Sequence, residues 1–112
     1  IIIEKYLYGR PGGATLDTTG YGLSVIPAGL LVIRSTVDGS IKPMPLKNNN
    51  TEYDSLTGDH EYEGIVVATV RTSKPFVGIM WGGSVNDHTS VIPFEIPSAA
   101  KTALKNITFK TN

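Results

Sequence analysis

The chain has 112 residues, 40% of them hydrophobic and 18% charged, which is the size of one domain and the composition of a globular fold rather than a disordered or membrane-embedded one. Ten basic and ten acidic residues cancel to a net charge of zero, and this balance argues against a nucleic-acid partner, whose phosphates require a basic excess. The lack of cysteine removes disulfide staples, thiolate zinc sites and cysteine nucleophiles, and no apolar run approaches the roughly 20 residues that span a bilayer. A first residue of Ile rather than Met predicts that residues precede it in the full product.

Twelve glycines and seven prolines punctuate short runs rich in Val, Ile, Thr and Tyr, the pattern of a compact β protein with tight turns. Residues 1–19 read as an N-terminal arm or as a first strand at about 2–8, and residues 20–112 as one β-rich domain. Further strands are predicted at 21–26, 30–35 and 40–44. Pro27-Ala28-Gly29 turns the chain, with Pro presetting φ and Gly supplying the permissive backbone. Leu30-Leu31-Val32-Ile33 then forms an apolar run suited to burial on both faces. Asp38-Gly39 is the strongest short hairpin signal. The strand after it carries Pro43, which cannot donate to a ladder, so it is expected to be short and at an edge.

Residues 47–63, "KNNNTEYDSLTGDHEYE", are polar and aperiodic and read as a long exposed loop. Half of the acidic residues cluster here, and Lys101, Lys105 and Lys110 share a tail without acids, so both stretches read as solvated surface. "GIVVATVR" and "FVGIMWGG" predict a central antiparallel pair over 64–72 and 76–82, with a further strand at 90–94. In "IPSAAKTALKNI", Pro97 or Ser98 opens a helix whose Ala100, Ala103, Leu104 and Ile107 share one face. At about three turns that helix cannot persist alone and must lie on the sheet. The expected fold is therefore mainly β (α+β): a compact small β-barrel or sandwich of short antiparallel strands, one short C-terminal helix and an extended N-terminal arm.

Catalytic chemistry finds little support. Asp17-Thr18-Thr19-Gly20 differs from the Asp-Thr-Gly turn of aspartic proteases by one inserted residue, which would misaim a shared carboxylate pair, and it is assigned to a hydrogen-bonded turn. Each of the two histidines follows an aspartate, Asp59-His60 and Asp87-His88. Should the two loops meet, they would offer a zinc or nickel set, but neither pair has a helical i, i+4 spacing, and loop polarity is the simpler reading. No G-x-S-x-G elbow, dinucleotide fingerprint or P-loop occurs. The expectation is a protein that is not an enzyme and takes no cofactor. The structural reading of Trp81 is a core aromatic packed over Gly82 and Gly83; the alternative is a ligand platform, with Trp81, Tyr53 and Tyr62 stacking on a glycan ring.

"IPAGLLVIRSTVDGSIKPMPL", "EYEGIVVATVRTSKPFVGIMWGGSVN" and "IPSAAKTALKNITF", in that order and spacing, resemble tailed-phage head decoration and head fibre proteins over most of residues 20–110. The resemblance implies a non-enzymatic homotrimer on the outer surface of a virion, assembled in the host cytoplasm. Its partner would be the major capsid protein, with no nucleic acid and no membrane involved. It further implies that an N-terminal arm, flexible in the free trimer, becomes ordered on the capsid. Here that arm is "IIIEKYLYGRPGGATLDTTG", which makes Ile1, Ile2, Ile3, Tyr6 and Tyr8 the candidate capsid contacts, by addition of an extended segment to a sheet edge. A small glycan-binding β domain is the alternative function.

Overall fold

The computed structural model describes residues 2–88 and 90–111. Its strands in chain order are β1 (Ile3–Gly9), β2 (Ala14–Thr15), β3 (Val25–Ile26), β4 (Leu31–Ser35), β5 (Ile41–Pro43) and β6 (Leu46–Lys47). Then follow β7 (Glu52–Tyr53), β8 (His60–Val66), β9 (Val70–Arg71), β10 (Phe76–Val77), β11 (Ile79–Asn86), the helix α1 (Ser98–Ala103) and β12 (Ile107–Lys110). The expected mainly β fold with one short helix is what the chain adopts, at 42% strand and 6% helix. It does not close into a barrel: the main sheet runs β1-β11-β8-β4-β5 and ends openly at β1 and β5, with β12 added on β11.

The core forms around β4. Leu30, Leu31, Val32 and Ile33 are fully buried, as are Ile65 and Val66 on β8 and Met80 on β11, so the apolar run is covered on both faces, while β8 and β5 pair with the two edges of β4. Gly39 at φ 78° lets the chain reverse, and the Asp38 carboxylate accepts from the Ser40 N–H and Oγ at 3.0 and 2.8 Å. Those bonds, from backbone and then side chain, hold the Asp38 carboxyl below its usual range. Pro43 sits on the terminal strand β5, where its missing N–H costs no ladder bond.

The Pro27-Ala28-Gly29 turn has a second use. Gly29 takes φ 89° and donates to the Val66 carbonyl, and a Cβ there would come within 2.7 Å of Ile2 Cγ2. A side chain at this position would be both strained and obstructed, so the turn seats the start of the chain against the core.

Several expected elements are corrected. Residues 47–63 are not one loop: β6 and β7 pair across Asn48, Asn49 and Asn50, all at positive φ, a conformation that Asn tolerates better than most residues. The strand β8 already starts at His60; of its four polar residues only Glu61 is exposed, and the Glu63 side chain is buried. The predicted pair 64–72 with 76–82 meets only at Ile79↔Val66 and Met80↔Ile65. Beyond that point β9 pairs β3, and β10 pairs β2. Residues 90–94 form turns and bends, the Val91 and Ile92 N–H groups both donating to the His88 carbonyl. The helix stops at Ala103. Ile107, Thr108 and Phe109, β-branched or aromatic, join β11 as a parallel strand, and Ile107 reaches the core by that route.

Candidate functional site

Two surfaces gather the residues that carry chemistry. The first is β1, which pairs antiparallel with β11 from Ile3↔Val85 to Gly9↔Met80, with three register irregularities on the way. Ile2 and Ile3 pack against the core, whereas Tyr6, Leu7 and Tyr8 are 51%, 59% and 45% exposed. Successive strand residues face opposite sides, so β1 shows large apolar side chains on both. Ile1 lies outside the described residues.

The second surface is a groove of about 310 Å³ at a fork in the sheet. Along one edge of β11 the ladder to β8 stops at Met80, and the ladder to β12 begins at Gly83. Trp81 and Gly82 fall in the gap between them. Trp81, Tyr62, Glu63 and Tyr8 line the groove on the sheet side, with residues 103–106 opposite. Gly82 leaves room for the Tyr8 ring, whose atoms occupy the space a Cβ would need.

Glu63 organises the floor. Its side chain is 8% exposed, and Oε2 accepts from Arg10 Nη1 and from Trp81 Nε1, both at 3.0 Å. Oε1 faces Arg34 Nε at 3.5 Å, and Arg34 also pairs with Glu61. A buried carboxylate is tolerable only when it is paired and hydrogen-bonded, and here the same bonds fix the edge of the indole. Burial raises the Tyr62 hydroxyl above its ordinary pKa.

The three aromatic residues named for the alternative, a ligand platform, therefore divide. Trp81 and Tyr62 come together in the groove, joined by Tyr8, one of the expected capsid contacts. Tyr53 is corrected: it is 7% exposed, packs edge-on against Phe94 at 5.3 Å between centroids, and its hydroxyl oxygen accepts from the Leu31 N–H at 2.9 Å. Desolvation pushes its pKa up. Its ring is packed into the core rather than into the groove with Trp81 and Tyr62, because the β6–β7 hairpin folds it inward.

The remaining candidates are held locally. Hydrogen bonds from the Thr19 side chain and backbone keep the Asp17 carboxyl below its usual range within its own turn. His60 Nδ1 lies 2.8 Å from the Gly58 carbonyl, and His88 Nδ1 2.7 Å from Ser90 Oγ. The two Asp-His dipeptides do not form one ligand set, and among the described residues no three His, Asp or Glu side chains gather into a metal-binding group. Among the described residues no helix is long and apolar enough to cross a membrane.

Sequence reasoning missed Leu7, Arg10, Glu63 and exposed Phe76. Leu7 was detectable in "YLYG", since three consecutive large side chains cannot all face one core. The Arg10–Glu63 pair spans 53 positions and left no local signal. Compared with protein families, with curated proteins and with solved structures, the chain matches none.

Proposed function

We propose that this chain is a non-enzymatic structural protein of a virion: a head decoration or head fibre protein that binds the major capsid protein as a homotrimer and stabilises the shell. The order and spacing of the motifs from Pro27 to Phe109 support this reading. So does the character of the fold, which spends its residues on stiff hairpins, ties Asp17, Asp38 and both imidazoles into their own turns, and pairs Glu63 and Asp87 with Arg10 and Lys101. The protein would act from the capsid surface, after assembly in the host cytoplasm, without nucleic acid, membrane or cofactor.

One observation carries the docking role. The strand β1 exposes Tyr6, Leu7 and Tyr8 consecutively at the open end of the sheet, and such a strand offers both backbone groups and apolar side chains to a partner edge. Its irregular register and Lys5 discourage indiscriminate pairing, which leaves the side chains to select the partner.

The experiment mixes purified protein with emptied, expanded capsids and counts bound copies. Binding of one trimer per local three-fold is expected, together with a light-scattering mass of about 36 kDa for three chains of 12.0 kDa. Replacing the exposed Leu7 by Glu should weaken capsid binding at least about 30-fold, the effect of a hot-spot residue. Absence of capsid binding by the unmodified protein refutes the reading.

A further inference from the structure

We infer that the groove at the β8–β12 fork binds an acidic saccharide, its ring against Trp81 and Tyr62 and its carboxylate at Lys105. The fork itself is the first reason. Where two strands share one edge of a third and diverge, the sheet leaves a cleft instead of a continuous surface, and here Trp81 lies in the interrupted part of the ladder.

The floor is the second. Glu63 has both oxygens engaged, by Arg10 and Trp81 on one side and Arg34 on the other, so the indole is locked before any ligand arrives. A ring held ready in this way binds without a further loss of side-chain freedom. Half-buried aromatic faces bordered by polar groups match a sugar, whose C–H face is apolar and whose rim is hydroxylated. A volume of about 310 Å³ is at the small end of ligand clefts and suits one or two sugar units.

Charge selects the acidic class. Arg10 and Arg34 together offset Glu63 and Glu61, whereas Lys105 has no ion-pair partner among the described residues and stands on the groove's opposite wall. The groove thus presents a spare positive charge to an incoming ligand. A cationic side chain of a peptide would meet that lysine and find Glu63 already occupied.

The groove shares Tyr8 with the docking strand but needs no capsid to bind a sugar, and one feature makes its test clean: Trp81 is the chain's single tryptophan. The folded trimer or monomer is titrated with D-glucuronate and N-acetylneuraminate, and separately with D-glucose and N-acetylglucosamine, following the one indole N–H resonance and the tryptophan fluorescence. Saturable shifts are expected with an acidic sugar, roughly tenfold weaker with neutral ones, and roughly tenfold weaker in Lys105→Ala, the loss of one charged hydrogen bond. Asn106→Asp, which adds a negative charge beside the site, should weaken the acidic sugars and spare the neutral ones. No response to either acid, an equal response to neutral sugars, or an unchanged affinity in Lys105→Ala overturns the proposal. Leu7→Glu should bind the sugar normally, which separates this result from failure of the docking role.

Discussion

The strands β4 and β1 belong to the same sheet and have opposite characters. β4 is central, with Leu31, Val32 and Ile33 fully buried, and its apolar content serves cohesion. β1 is at the rim, exposes Tyr6, Leu7 and Tyr8, and slips register three times against β11. Similar residue types therefore do different work according to position: burial converts apolar surface into stability at about 25 cal/mol per Å², whereas exposed apolar surface is available to a partner.

Substitution should separate the two strands. The largest effect is expected for Ile33→Ala, which opens a cavity in the fully enclosed centre and should cost about 2–5 kcal/mol in chemical denaturation. A cost below 1 kcal/mol would mean that β4 is not the cohesive centre.

An intermediate effect is expected at the far end of β11. Asp87 accepts from Lys101 Nζ and from Thr111 Oγ1, both at 2.6 Å, and these bonds, Lys101's first, hold its pKa below 3.8. The unfolded chain then binds the proton more readily than the folded one. Its stabilising contribution is complete above 3.8 and disappears as pH falls through the lower folded value. Asp87→Asn should lower stability at neutral pH and flatten the acid limb of the stability profile. An unchanged acid limb would remove Asp87 from the account. Asp17 and Asp38 shift in the same direction and remain in the variant.

The smallest effect is expected for Leu7→Ser, which touches only exposed surface and should change stability by no more than about 0.5 kcal/mol. A larger loss would make β1 part of the cohesive unit and would break the contrast between the strands.

How far the sequence reveals this arrangement depends on the range of the interactions. Pro27-Ala28-Gly29, the run from Leu30, Asp38-Gly39 and the helix start at Ser98 are legible because each is decided by its own neighbours. The β6–β7 hairpin is not, because three left-handed asparagines look like any polar loop until Tyr53 is seen to need burial. β12 is hidden for a related reason: Leu104 and Ile107 fit a helical face equally well, and the free edge of β11 decides against it. At the groove, Trp81 and Tyr62 are recognisable as aromatic candidates, but their convergence with Glu63 and Arg10 depends on a fork that no local pattern encodes.

The strand β11 has one more consequence. Ile3 and Phe109 are both register partners of Val85, one on each side, so segments more than 100 positions apart in sequence lie about 10 Å apart across two ladder spacings. Neither contact can form until residues 79–86 have been synthesised, and contacts of such long sequence separation slow the search for the native state. Folding on the ribosome should therefore commit late, with "YLYG" solvated and available to other chains until its own strand emerges.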